Sequence, residues 1–182
     1  MSNTHRGLIH VYTGSGKGKT TAAFGLALRA AGHGWHTYVG QFMKGQDYGE
    51  LRAATLLGSD DAGQPLLTIA QFGKPTFTHV TGVTAEDIRM AQEGLAQARE
   101  AMLSERYEIV VLDEINVALH FELLTVSEVL RTIDQKPDRV ELVLTGQRVP
   151  DAILDRADYI TVMQQDRHPY QRGILARKGI EF

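Results

Sequence analysis

There is no cysteine in the 182 residues. Thiol catalysis, disulfide bonds and zinc–thiolate centres are therefore excluded, and the composition suits a reducing cytoplasm, which is the location expected. No apolar stretch approaches the ~20 residues of a membrane-spanning helix. The first apolar run, residues 8–12, is short and leads straight into a glycine-rich loop, so it is not the core of a signal peptide. A basic excess is also missing: 19 Lys and Arg stand against 22 Asp and Glu, a net charge of −3. That argues against a nucleic-acid binder, which carries a basic face. Internal repeats and low-complexity tracts are absent too. What is present is an ordinary globular mixture, 43% apolar and 23% charged. The length fits one domain over residues 1–182, at ~150 residues per domain, with enough chain to bury a core unaided by cross-links.

Short β-branched or aromatic runs alternate with longer amphipathic ones. Strands are expected at 8–12, 35–42, 66–72, 109–112, 140–144 and 159–163, the last of these also in the core. Helices are expected at 20–31, 51–57, 126–133 and 151–157. The clearest helix follows Thr84 and Asp87, which form a capping box. Behind them Ile88, Ala91, Leu95, Ala98 and Met102 recur at three- and four-residue spacing. Strands alternating with helices predict an α/β fold, a mostly parallel sheet covered by helices on both faces. Irregular stretches fall at 45–50, 58–65, 73–83 and 164–178, and long loops in a compact domain tend to be functional.

The loop Thr13-Gly14-Ser15-Gly16-Lys17-Gly18-Lys19-Thr20-Thr21 lies between an expected strand and an expected helix, the setting of a Walker A motif. Its glycines let backbone N–H groups turn inward as an anion-binding nest, and the helix N-terminus adds unpaired N–H groups and a positive dipole end. Lys19 supplies a point charge for phosphate, and Thr20 a hydroxyl for Mg²⁺. Thr13 stands where the usual pattern begins with Gly. A dinucleotide fingerprint fits poorly, because Gly14-x-Gly16-x-Gly18 is not its glycine spacing and the second strand ends in Gln41, where a carboxylate for ribose would be wanted. Val110-Val111-Leu112-Asp113-Glu114 is a buried strand ending in two carboxylates, the Walker B position, where an acid holds magnesium directly or through water. Asn116 either hydrogen-bonds within the site or caps the next helix. Arg148, after Thr145-Gly146-Gln147, either faces phosphate or is solvated.

Several of these segments together resemble the ATP:corrinoid adenosyltransferases. The likeness runs through the loop and on to Gly25, through Arg29-Ala30-Ala31-Gly32-His33-Gly34, Gln41-Phe42-Met43-Lys44-Gly45, Val111-Leu112-Asp113-Glu114-Ile115-Asn116 and Leu144-Thr145-Gly146. It ends with His168-Pro169-Tyr170, Gly173 and Lys178-Gly179-Ile180-Glu181-Phe182. It spans nearly the whole chain in order. The resemblance implies a RecA-like P-loop fold and a reaction in which Co(I) of a reduced corrinoid attacks C5′ of MgATP and displaces triphosphate. It implies ATP and Mg²⁺ contacts from Gly14, Ser15, Gly16, Lys17, Gly18, Lys19, Thr20 and Thr21. Lys19, Thr20 and Glu114 would carry the chemistry. Thr20 and Glu114 would be magnesium ligands, with Asp113 adjacent. It also implies a homodimer, and a flavin-type reductase is the expected electron-supplying partner; no nucleic acid or membrane partner is expected.

Arg29 matches a nucleotide-binding position of the family, but it lies nine residues beyond Thr20. That puts it on the opposite side of the helix and roughly 13 Å along the axis. Where the family carries Phe-Thr-Trp against the corrin, the chain reads Phe77-Thr78-His79. Phe77 either meets the corrin or closes a hydrophobic cluster, and His79 either approaches cobalt or is solvated. The basic segment Arg167-His168-Pro169-Tyr170-Gln171-Arg172 could cover triphosphate, meet the corrin periphery, or lie on the surface or in a dimer contact. Competing readings are a P-loop ATPase or phosphotransferase acting on the γ-phosphate, a non-catalytic corrinoid carrier, and a RecA-like DNA motor, which would need a basic stripe.

Overall fold

Six short apolar segments pair into one sheet in which every strand is parallel to its neighbours, in the order β3-β2-β4-β5-β1-β6. The structure is a computed structural model and describes residues 6–75 and 82–181. The strands are β1 (Ile9–Thr13), β2 (Thr37–Phe42), β3 (Leu67–Phe72), β4 (Ile109–Asp113), β5 (Glu141–Thr145) and β6 (Tyr159–Val162). The helices are α1 (Lys19–Ala31), α2 (Gly49–Leu57), α3 (Ala85–Leu103), α4 (Ile115–His120), α5 (Val126–Asp134) and α6 (Asp151–Leu154), and a 3₁₀ turn covers Pro169–Arg172. The last expected helix, 151–157, is shorter than its pattern, covering Asp151–Leu154, and α4 carried too brief an apolar run to be read in advance.

The middle residues of β4 and β5 are apolar because both their faces are covered. Ile109, Val111 and Val143 face α1 and α2, packing with Ala23, Ala27 and Ala30. Val110, Leu112, Leu142 and Leu144 face the other way, against Ala91, Leu95, Ala98 and Met102 of α3 and against α4, α5 and α6. Each fully buried aliphatic side chain here contributes ~1.5–3 kcal/mol relative to exposure. The capping box on α3 forms as the sequence indicates: Asp87 Oδ2 accepts the N–H of Thr84 at 2.9 Å, and Thr84 Oγ1 accepts that of Asp87 at 3.4 Å. Thr125 and Glu128 close a second box on α5.

One expectation fails. Residues 159–163 were expected as a core strand, but β6 lies at the sheet edge beyond β1 and is exposed along its whole length. A four-residue β-branched run reads alike in a sheet centre and at an edge, and only the strand order separates the two cases. Among the described residues no helix is long and apolar enough to cross a membrane.

Candidate functional site

Parallel pairing brings the C-terminal ends of all the strands to one edge, where ligands bind in open α/β sheets. Gln41 of β2 is in register with Asp113 of β4, and Leu112 with Leu144, so Thr145 follows alongside. The phosphate loop leaves β1 on the same edge. Its glycines are needed for space as much as for conformation. A Cβ on Gly14 would lie 2.3 Å from the Met163 carbonyl oxygen, and one on Gly16 2.7 Å from that of Gln164. The chain leaving β6 thus runs directly against the loop. It is fixed there by Met163 N–H donating to Thr13 O (2.8 Å) and Gly16 N–H donating to Met163 O (2.7 Å). The Gly16 N–H is thereby committed to the Met163 carbonyl.

Lys19 opens α1. It is 8% exposed, and its ammonium donates to Gly14 O (2.9 Å) and Gly16 O (2.7 Å). Burial lowers its pKa, and the nearby charges of Glu114 and Asp113 oppose that shift. The Thr20 hydroxyl donates to Asp113 Oδ1 at 2.8 Å. Thr145 donates to the same oxygen at 2.8 Å, while Oδ2 accepts from Lys44 Nζ at 2.7 Å and Gln41 Nε2 at 3.3 Å. Asp113, fully buried, therefore accepts four hydrogen bonds on two oxygens, which fills its acceptor capacity.

The adjacent acid behaves differently. Glu114 has φ 63°, in the left-handed region that non-glycine residues seldom adopt. Its N–H is held by Thr145 Oγ1 at 2.9 Å. The turn at Glu114 sends the two neighbouring carboxylates apart: Asp113 goes into the hydrogen-bond network and Glu114 to the wall of a cleft. Burial, then the charge of Asp113, raises the Glu114 pKa, and Lys44 and Lys19 only partly offset this. For Lys44 the order reverses. Burial lowers its pKa, but Asp113, by charge and hydrogen bond, and then Glu114 and Glu50 outweigh that, and the net shift is upward.

The cleft has a volume of about 920 Å³. Lys17, Gly18, Lys19, Thr20 and Thr21 form one part of its lining, and Lys44 and Tyr48 follow β2. Val117, His120 and Phe121, on and just beyond α4, line it with Gln147 and Arg148. The tail folds back to add His168, Ile180 and Glu181.

The chain matches the family model described as ATP:corrinoid adenosyltransferase BtuR/CobO/CobP over residues 5–182. It belongs to the ATP:corrinoid adenosyltransferase family. It is similar to a corrinoid adenosyltransferase of Sinorhizobium sp, 38% identical over 178 residues, which are 97% of this chain and 81% of the relative. A corrinoid adenosyltransferase of Pseudomonas aeruginosa is 32% identical over 182 residues, 100% of this chain and 87% of the relative. One of Escherichia coli K12 is 31% identical over 182 residues, 100% of this chain and 89% of the relative.

Of the residues that the adenosyltransferase resemblance singled out, the structure brings Lys17, Gly18, Lys19, Thr20, Thr21 and Glu114 to one cleft, with Asp113 directly beneath. Gly14, Ser15 and Gly16 are not part of the cleft lining. Arg29 is not brought in: it sits exposed in the last turn of α1 and is not part of the cleft lining. Phe77, Thr78, His79 and Phe182 lie outside the described residues. Asn116 neither caps α4 nor bonds within the site. The cap position is Glu114, and the buried Asn116 amide has no hydrogen-bond partner among the described residues. Arg148 faces the cleft, its guanidinium donating to His120 Nε2.

Sequence reasoning missed Lys44, Gln41 and Thr145 as members of the site. Each stands at or just past the C-terminal end of a strand, a position that could have flagged it once the strands were known to be parallel.

Proposed function

We propose that the chain transfers the 5′-deoxyadenosyl group of MgATP to the reduced cobalt of a corrinoid and releases triphosphate. Corrinoid adenosylation is the activity of the family to which the chain belongs. The observation that carries the mechanistic reading is the cleft itself. A phosphate loop, with its Thr20–Asp113 hydrogen bond and with Glu114 alongside, opens into about 920 Å³. That is near the upper end of the ~300–1,000 Å³ usual for small-molecule sites, and the cleft is open on one side, where part of a second, larger substrate would rest. Val117, Phe121 and Arg148 would offer that substrate apolar contact and a donor.

In this reaction Co(I) attacks C5′, a Co–C bond forms, and the C5′–O bond breaks with its electron pair leaving on triphosphate. Co(I) is already a strong nucleophile, so the site needs no general base. The chain has two tasks. It holds C5′ within near-attack distance, and it stabilises the charge that gathers on the departing triphosphate. Lys19 and the N-terminal N–H groups of α1 supply that stabilisation.

The residues present fit Mg²⁺. Thr20 gives its proton to Asp113, which leaves its oxygen lone pairs for a hard cation, and Glu114 adds a carboxylate on the cleft wall. Magnesium commonly takes one or two such ligands together with phosphate and water. Bound there, it would neutralise charge on the triphosphate oxygens. In this reading Asp113 serves it through Thr20, its own lone pairs being taken. Arg29 stands too far along α1 to share these contacts, and Phe77 is kept as a corrin contact from its sequence alone.

Two copies of the chain would associate. The exposed apolar edge at Tyr159, Ile160 and Val162 supports that reading. A flavin-type reductase would supply the electrons for Co(I), and the cytoplasm, where MgATP is available, is the proposed location. The test is anaerobic incubation with MgATP and chemically reduced cobalamin, following the visible spectrum and the phosphate products. A light-sensitive alkyl-cobalt product with stoichiometric triphosphate is expected. ADP and phosphate without a Co–C bond would overturn the reading in favour of γ-phosphate chemistry.

A further inference from the structure

Lys44 has no role in the reaction just described, yet it is ion-paired with the fully buried Asp113. The chain turns sharply after β2, where Met43 has φ 57°. Beyond it the exits of β2 and β3 press backbone to backbone. A Cβ on Gly45 would lie 2.1 Å from Gly73 O, and one on Gly73 2.4 Å from the Met43 carbonyl carbon. This locks the direction of the Lys44 side chain, which runs back across the strand ends to Asp113. The ammonium sits 2.7 Å from Asp113 Oδ2 and 5.4 Å from the centre of the Tyr48 ring. Its side chain is 15% exposed, and what is exposed lies on the cleft wall. Gln41, which also donates to Asp113, accepts from Gln71 (3.0 Å) and donates to Glu50 (3.2 Å), so the network has little freedom to rearrange.

We propose that Lys44 is a positioning residue that cancels the charge of Asp113, so that the acid pair presents a single net negative charge, on Glu114, to the cleft. Two adjacent carboxylates without Lys44 would form a site of charge −2. Such a site would hold a divalent cation tightly by itself and draw it onto Asp113 Oδ2, in the place of the Lys44 ammonium. With Lys44 in place Asp113 is confined to orienting Thr20, and the cation stays at the Thr20–Glu114 side, where the nucleotide is held. This inference rests on the reading that Thr20 and Glu114 face a divalent cation.

The test is Mn²⁺ binding to the full chain without nucleotide, read by electron paramagnetic resonance, alongside steady-state kinetics. Lys44→Met should bind Mn²⁺ about tenfold more tightly than the wild type. Its kcat should fall about tenfold and its KM for ATP change less than threefold. Asp113→Asn, which leaves the ammonium unopposed, should bind Mn²⁺ about tenfold more weakly. The double variant Lys44→Met/Asp113→Asn should return to within threefold of the wild type, and Lys44→Arg should stay near it. The double variant buries no unpaired charge, so it keeps the test open if Lys44→Met does not fold. The inference is overturned if Lys44→Met binds Mn²⁺ no more tightly than the wild type. It is overturned equally if the double variant stays as weak as Asp113→Asn, or if none of the proteins binds Mn²⁺. Glu114→Gln separates this failure from that of the underlying reading. Undiminished Mn²⁺ binding in that variant would remove the cation site itself. Binding lost there, with no Lys44–Asp113 coupling, would remove the role of Lys44 alone.

Discussion

Two regions beside the cleft are built in opposite ways. At the ends of β4 and β5 the chain has neighbours on every side, and Asp113, Thr145 and Gln41 are fully buried. Each of the three is hydrogen-bonded within the network. At β6 and the tail beyond it the chain has neighbours on one side. Tyr159, Ile160, Val162, Tyr170, Leu175 and Ile180 are each more than half exposed. The side-chain hydrogen bonds there are local ones, such as Arg177 Nη2 to Glu181 Oε1 at 3.1 Å and the Tyr170 N–H to His168 Nδ1 at 3.2 Å. The difference follows from strand order. Groups that must hold a fixed geometry sit over the middle of the sheet, where both faces are packed. The segment at the open side sits at an edge, where ordering it disturbs little else. Gly14 and Gly16 join the two regions through Met163 and Gln164.

The largest effect should come from breaking the central network. Asp113→Ala removes the acceptor of four hydrogen bonds and leaves Lys44 without its counter-charge. A loss of about 3–5 kcal/mol in unfolding free energy is expected, read by urea denaturation. A paired comparison comes next. Ile109 in β4 is buried and Ile160 in β6 is half-exposed. The substitution Ile109→Ala should cost about 2–5 kcal/mol. Ile160→Ala should stay within about 0.5 kcal/mol at protein concentrations too low for association. Equal losses would show that β6 is part of the core after all. Between these two lies the effect of Gly16→Ala, at the junction. Its Cβ would press on the Gln164 carbonyl, and the strain should cost about 1–3 kcal/mol. The KM for ATP should rise while the central network, probed by hydrogen exchange at Leu112 and Leu144, stays protected. Unchanged KM would mean that the loop does not depend on the β6 exit.

Much of the centre was legible in the sequence. Walker-type spacing fixed Lys19 and Thr20, and the run Val110-Val111-Leu112 announced a strand buried on both faces with its acids at the exit. These signals are local, since each needs only the residues beside it. Lys44, Thr145 and Gln41 were not legible as site residues, because their meaning depends on β2 and β5 flanking β4, a fact of topology that no short window contains. Asn116 illustrates the same limit. Its two expected roles were both local ones, and the structure gives it neither. The edge region was misread for a related reason. Tyr159-Ile160-Thr161-Val162 has strand-forming chemistry, but burial is decided by what lies beyond the strand, and β6 has no strand beyond it.

The finest test of the contrast uses two glutamates of the same cleft, one from each region. Glu114 and Glu181 both line it, and both have an ordinary value of 4.5. Burial, then Asp113, shifts Glu114 upward. Hydrogen bonds from the Arg177 side chain and backbone shift Glu181 downward, with Lys17 adding to this. The linked effects on stability have opposite signs. For Glu114, whose folded pKa is above 4.5, the favourable contribution is complete below 4.5 and is lost as pH rises through the folded value. For Glu181, whose folded pKa is below 4.5, it is complete above 4.5 and is lost as pH falls through the folded value. Carboxyl-carbon NMR shifts of the metal-free protein should therefore show Glu181 titrating first as pH rises from the acid side, and Glu114 last. In Arg177→Ala the Glu181 curve should move up towards 4.5 while that of Glu114 stays in place. In Lys44→Met the reverse should hold, with Glu114 moving further up and Glu181 unmoved. Movement of both curves in either variant would show that the buried and exposed walls are electrostatically one unit, and the division between them would not stand.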